Sequence, residues 1–290
     1  MDKYIIANVK CKFSFFNKDF FKTRLKEYEN DFNDEDVELT LTSSINNNIL
    51  EEEGEVIISS NIAKCVLDKK GIYHYIKYKN KKKDICLKIS FTKDYSNVHI
   101  EQIDHPHKYL SLTDREYIYT NQVFVNRVIF LGGVMIHSSC IAYKDKAILF
   151  SADSGTGKST HTGLWKELYQ DDVRFINDDK PILRIVNDKV YAFGTPWSGK
   201  TDLNSNLSLP LKGIVILERG INNEINEVTL NEVIKTVFAN IIVPNENKDI
   251  ASLALSTYND ILNKVPLYRL KCNISLEAPK IVKEEVFKDE

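Results

Sequence analysis

One stretch constrains this chain more than any other. Ala147-Ile148-Leu149-Phe150 runs directly into Ser151-Ala152-Asp153-Ser154-Gly155-Thr156-Gly157-Lys158-Ser159-Thr160, and a helix-like segment follows from Thr160 to Tyr169. Strand, glycine-rich loop, helix is the order a phosphate-binding loop requires. Small residues let successive backbone N–H groups converge on phosphate oxygens, and the helix N-terminus adds partial positive charge. Lys158 can then reach the terminal phosphates, with the Ser159 hydroxyl placed to ligate Mg²⁺. Asp153 to Thr160 are therefore the nucleotide-binding candidates. Ala152 stands where the pattern G-x-x-x-x-G-K-[ST] begins with glycine, a change tolerated if that residue has negative φ. The opposing account is a Gly/Ser turn that binds nothing; the flanking strand and helix favour phosphate.

Composition narrows the setting. At 290 residues the chain holds one large or two moderate domains. With 43% hydrophobic and 28% charged residues it reads as an ordinary soluble protein, and a net charge of −2 gives no case for capturing nucleic acid or an anionic membrane. No stretch approaches the ~18 apolar residues of a membrane span, and Met1 to Lys12 lacks the apolar core of a signal peptide. The five cysteines (Cys11, Cys65, Cys86, Cys140, Cys272) are scattered and form no C-x-x-C pair, so neither a zinc site nor a disulfide framework is expected. A reducing cytoplasm is the expected location.

Residues 1–110 read mostly as strand. Val9, Cys11 and Phe13 alternate with lysines; Val37, Leu39 and Leu41 alternate with polar residues; so do Ile85, Leu87, Ile89 and Phe91. A short helix is expected from Asp19 to about Tyr28. Lys79 to Lys83 reads as a solvated hairpin tip rather than a docking patch. His105-Pro106-His107 marks a boundary; with Asp104 the histidines could ligate a metal, but a proline loop accounts for them better. Thr113-Asp114-Arg115-Glu116 has capping-box form and predicts a helix to about Leu131, stopped by Gly132-Gly133. Strands are then expected at Val134–Tyr143, Ala147–Phe150, Val173–Ile176, Ile182–Val186, Val190–Phe193, Lys212–Leu217 and Leu267–Ile274. Helices are expected at Leu230–Ile242 and Ile250–Asn263.

Three further constellations carry chemistry. Asn177-Asp178-Asp179 follows the apolar-rich Val173–Ile176. Carboxylates at the end of a strand beside a phosphate loop can divide the work, Asp179 facing Mg²⁺ and Asp178 accepting the proton of an attacking hydroxyl. Asp-Asp-Lys-Pro is equally good turn chemistry. His137, on the strand before the loop strand, could position or protonate a phosphoryl oxygen, or be a hydrogen-bonded core histidine. His161 reads as a helix-surface residue. In Gly194-Thr195-Pro196-Trp197-Ser198-Gly199-Lys200-Thr201, Lys200 could stabilise charge on a transferring phosphoryl group. Trp197 could stack on substrate or anchor the loop.

Residues 132–220 resemble the HPr kinase/phosphorylase family, and more closely its smaller relatives that phosphorylate serine or the tails of modified peptides. The resemblance rests on His137, Ser154-Gly155-Thr156-Gly157-Lys158-Ser159 and Asp178-Asp179. It implies that these residues hold ATP and Mg²⁺ and activate a serine hydroxyl, on the fold shared with phosphoenolpyruvate carboxykinases. The arginine-bearing C-terminal signature and the N-terminal domain of true HPr kinases are not found, so the HPr substrate and a phosphorylase activity do not carry over.

The expected architecture is therefore α/β, with a mixed (α+β) sheet: a P-loop kinase domain of phosphoenolpyruvate carboxykinase-like type over residues 111–290. A mainly antiparallel β module over residues 1–110 precedes it, serving substrate recognition or scaffolding. The expected activity is transfer of a phosphoryl group from ATP, with Mg²⁺, to a Ser or Thr hydroxyl of a peptide, protein or small molecule such as free serine. No nucleic-acid or membrane partner is expected, and a homo-oligomer is left open. The competing readings are a nucleotide-gated binding module and a simple ATPase.

Overall fold

Alternation along the first strands sorts side chains between two faces, as a half-buried sheet requires. Val9, Cys11 and Phe13 are fully buried, while Lys10 and Lys12 between them are not. The computed structural model describes residues 1–105, 107–153, 155–199, 201–243 and 248–289. They divide into two units, Met1–Phe130 and Leu131–Glu290.

The first unit comprises β1 (Asp2–Ile6), β2 (Val9–Ser14), α1 (Lys18–Leu25), β3 (Leu39–Ile45), β4 (Glu55–Ser59), β5 (Ala63–Leu67), β6 (Tyr73–Tyr78), β7 (Ile85–Phe91), β8 (Asn97–Gln102) and α2 (Leu112–Phe130). Its eight described strands form one sheet in the order β1-β2-β3-β8-β7-β6-β5-β4. The sheet is mixed: β3 runs parallel to both β2 and β8, and the remaining neighbours are antiparallel. Helix α1 starts one residue before the expected Asp19 and ends at Leu25, with a 3₁₀ turn over Lys26–Tyr28 completing the expected span. Phe15 stacks on Phe21 with centroids 3.7 Å apart, which fixes α1 against the sheet.

The cap of α2 lies two residues earlier than Thr113. Ser111 N donates to Asp114 Oδ2 at 2.8 Å and Asp114 N returns a bond to Ser111 Oγ at 3.0 Å. Glu116, the expected capping carboxylate, instead points inward. It is fully buried, accepts from Phe16 N at 3.0 Å, Asn17 N at 3.3 Å and the Ser43 hydroxyl, and burial raises its pKa. Near the other end of α2, Arg127 Nε donates to Glu38 O at 2.8 Å and its NH1 meets Asp94 Oδ2 at 2.9 Å. These bonds explain why the division falls after α2 rather than near residue 110.

The second unit comprises β9 (Gly133–Ile136), β10 (Ser139–Tyr143), β11 (Lys146–Ser151), α3 (Lys158–Tyr169), β12 (Val173–Asn177), β13 (Ile182–Val186), β14 (Lys189–Phe193), β15 (Ser208–Arg219), β16 (Glu224–Val228), α4 (Leu230–Ala239), β17 (Ile241–Ile242), α5 (Lys248–Leu262), β18 (Leu267–Cys272) and α6 (Glu277–Val286). The described strands run β12-β10-β11-β15-β14-β13-β9-β17, with β18 also on β15 and β16 on β18. Again the sheet is mixed, since β11 and β18 are parallel to β15 and the other pairs antiparallel. Ala147 to Phe150 are all fully buried, which is why β11 reads as a continuous apolar run rather than an alternating one. The chain is thus mixed α/β with two mixed sheets.

Two expectations need correction here, and two elements were not foreseen. Val134–Tyr143 is two strands, because the chain changes partners: His137 N bonds Asn240 O at 2.8 Å and Ser138 N bonds Asp179 O at 3.1 Å. Helix α4 ends at Ala239, and Ile241 pairs with Ile136 in β17 instead of continuing the helix. Strand β16 and helix α6 were not foreseen; α6 buries Ala278, Val282 and Val286 at four-residue spacing. Among the described residues no helix is long and apolar enough to cross a membrane.

Candidate functional site

Strand β11 delivers the buried Ser151 and Ala152 to the mouth of the glycine-rich loop. Gly155 (φ +78°) and Gly157 (φ +120°) lie in the left-handed region that non-glycine residues rarely adopt. A Cβ at Gly155 would meet nothing within 4 Å, so backbone conformation rather than space demands glycine there. Thr156 N closes a turn onto Asp153 O at 3.2 Å, and α3 begins at Lys158 with His161 N on Gly157 O at 2.9 Å. Lys158 is buried, its Nζ 3.1 Å from Ala152 O. Burial pulls its pKa down, while Asp179, Asp153 and Asp178 oppose that shift. Asp153, Gly155, Ser159 and Thr160 are exposed; Ser154 lies outside the described residues. Arg219, at the end of β15, donates from NH2 to Gly155 O at 2.7 Å.

The two carboxylates sit at the end of β12, two strands from β11. Asn177 is fully buried and acts in two directions. Its Oδ1 accepts from Asp179 N at 2.9 Å and Lys180 N at 2.6 Å, while its Nδ2 donates to Thr195 O at 2.9 Å. The Asp178-Asp179 segment is therefore both a side-chain-held turn and a presenter of two carboxylates. Asp178 is buried; Oδ1 accepts from Ser139 Oγ at 2.5 Å and Thr162 Oγ1 at 3.5 Å, and Oδ2 from Thr201 Oγ1 at 2.9 Å. Asp179 is more open, with Oδ1 3.4 Å from His137 Nε2 and Oδ2 3.0 Å from Lys180 Nζ.

His137 lies between β9 and β10, not on a strand, and its side chain is 43% exposed. Partial burial and the Lys158 charge lower its pKa, against the pull of Asp179. His137, Lys158, Asp178 and Asp179 thus share one electrostatic neighbourhood. His161 is corrected from surface to core. It is 3% exposed, its Nε2 accepts from Trp165 Nε1 at 3.1 Å, its ring lies 4.8 Å from Phe150, and burial lowers its pKa to about 4.

The loop after β14 is held against the carboxylates. Gly194 has no room for a side chain, because a Cβ would lie 1.7 Å from Ser205 O and 2.7 Å from Ile176 O. Asp178 N bonds Leu203 O at 3.0 Å, so residues 203–205 flank the end of β12. A Cβ on Gly199 would lie 3.1 Å from that of Asp179. Trp197 is 1% exposed, which fits an anchor of the loop. Lys200 lies outside the described residues.

Sequence reasoning missed Ser139, Thr162, Thr201 and Arg219. Isolated hydroxyls carry no spacing signal, and each meets Asp178 only through tertiary structure. Arg219 is the last residue of a strand whose partner is the loop strand, a position visible only once β11 and β15 are paired.

No family model matches the chain, and no curated protein matches it. Among solved structures it is similar to the HPr(Ser) kinase/phosphatase from Coxiella burnetii, at 11% identity and a TM-score of 0.30, over 53% of this chain and 94% of that one.

Proposed function

We propose that the second unit is an ATP-dependent phosphotransferase acting on a Ser or Thr hydroxyl of a peptide, protein or free serine. The observation that carries this reading is the convergence of Lys158, at the base of a glycine-rich loop, with Asp178, Asp179 and His137. The donor chemistry suits Mg²⁺, which takes oxygen ligands and retains water: the Ser159 hydroxyl is exposed and the Asp179 carboxylate partly so. Ser159 and Asp179 would hold the metal, which supplies charge neutralisation on the phosphates.

The chain's own groups do the rest. Backbone N–H groups of Gly155 to Lys158 cradle phosphate oxygens, and the Lys158 ammonium moves from Ala152 O to the terminal phosphates. An aspartate accepts the acceptor hydroxyl's proton as that oxygen bonds to phosphorus and the bond to ADP breaks. His137, directed by Asp179, orients a phosphoryl oxygen. Lys200 is proposed to stabilise transferring charge. Asp178 is the base in the division of labour the sequence suggests. One observation favours the exchanged assignment: the Ser139 and Thr201 hydroxyls already donate to Asp178, whereas Asp179 is more open. The first unit is proposed to select the acceptor, offering the exposed edge strand β4 for strand addition.

The test is incubation of the full chain with γ-labelled ATP, Mg²⁺, free serine and Ser/Thr peptides. Labelled phosphoserine or phosphopeptide is expected. Nucleotide binding without transfer would establish the gated binding module instead, and release of inorganic phosphate alone an ATPase.

A further inference from the structure

The first unit contains a cavity of about 640 Å³ whose lining is strongly cationic. Lys77, Lys79, Lys108 and Arg115 line it together with His105 and His107, and no Asp or Glu stands among the described lining residues. Its size is that of a small-molecule site.

Arg115 is the decisive residue. It is 5% exposed, yet it forms no ion pair among the described residues. Among the described residues its guanidinium reaches only Ile103 O at 3.4 Å, His105 O at 3.2 Å and His105 Nε2 at 3.2 Å, and its buried Nε meets no acceptor there. A buried charge is normally paired, since desolvating it without a counter-ion is strongly unfavourable. Lys77, Lys79 and Lys108 form no ion pair among the described residues either. Glu51, the carboxylate on the Tyr78 hydroxyl, is engaged by that phenol at 2.8 Å and by Lys64 at 3.4 Å. The field inside is correspondingly positive: Lys77, Arg115 and Lys79 all favour the thiolate of Cys86, which also lines the cavity, although burial outweighs them and raises that thiol's pKa.

We propose that this cavity binds a small multivalent anion, carrying phosphate or carboxylate groups, with Arg115 as its buried anchor and the more exposed Lys77 and Lys79 of its lining adding charge. An Arg fork matches the paired oxygens of either group. The volume suits a small molecule and Arg115 is only 5% exposed, which favours such a ligand over an acidic chain lying on the surface. The proposal rests on the first unit alone and does not depend on the phosphotransferase reading.

The experiment is isothermal titration of the full chain in the Lys158→Ala background, which removes competition from the phosphate loop. The probes are pyrophosphate, citrate and hexaglutamate at matched ionic strength. Saturable binding of pyrophosphate or citrate tighter than about 1 mM is expected. Their ranking tells phosphate from carboxylate. Lys77→Gln with Lys79→Gln, both outside the core, is expected to weaken that binding by about tenfold or more. Arg115→Gln should abolish it, and the lysine pair keeps the test decisive if that variant does not fold. Absence of binding by both small anions, equal affinity in the lysine variant, or tenfold tighter binding of hexaglutamate would each overturn the proposal.

Discussion

The Ser139 hydroxyl donates to Asp178 Oδ1 at 2.5 Å, joining the start of β10 to the residue after β12. The register makes this bond: Cys140 pairs with Asn177, so the next residues outward, Ser139 and Asp178, stand side by side. Two neighbouring strands thereby set the direction of a carboxylate that the turn sequence alone leaves free.

Exchanging the carboxylates one at a time separates their roles. Asp178→Asn and Asp179→Asn are each expected to leave ATP affinity within a few-fold. The residue acting as base should lose ~10²–10⁴-fold in turnover when changed. The metal ligand should instead show a raised Mg²⁺ requirement. Initial rates against Mg²⁺ concentration for both variants decide between the two assignments; unchanged kinetics in both would reduce the pair to a turn.

Lys158→Ala should lose phosphoryl transfer by about 10²-fold or more, because its charge acts in a water-poor site. The far-ultraviolet circular dichroism should be unchanged, since the amine's single described hydrogen bond is to Ala152 O. Near-normal rates in this variant would remove the loop from the mechanism.

His161 gives the fold a pH dependence with a definite sign. Its folded pKa of about 4 lies below the ordinary 6.5, so the unfolded chain takes up the proton first as pH falls. The stability it contributes is complete above pH 6.5 and is lost on descending towards pH 4, to a total of roughly 3 kcal/mol. Urea unfolding at pH 7.5 and 4.5 should show a smaller drop for His161→Gln, whose amide oxygen can still accept from Trp165, than for the wild type. Equal drops would mean that His161 does not titrate as a buried group.

Gly194→Ala should destabilise the second unit by about 3 kcal/mol or more, since the added methyl must displace the backbone at Ser205. Residues 203–205 support the end of β12, so activity should fall even at temperatures where the variant is folded. A melting temperature equal to that of the wild type would show that this loop yields easily.

Much of this molecule is written in local pattern. The apolar run Ala147–Phe150 and the glycines after it specify a buried strand entering a left-handed loop, because only glycine readily adopts the φ values found at residues 155 and 157. Alternation marked β2, β3 and β7, and Gly132, at φ +74°, marks the stop after α2. Other features depended on partners distant in the chain. Whether Val134–Tyr143 was one strand or two turned on Asn240 and Asp179, which capture the backbone at His137 and Ser138. Glu116 had the spacing of a capping residue, yet the backbone of Phe16 and Asn17 drew it inside. His161 looked like a surface residue until Phe150 and Trp165 enclosed it. Local sequence determines backbone conformation through sterics and periodicity, whereas the surroundings of a polar side chain are decided by whichever strands the sheet places beside it.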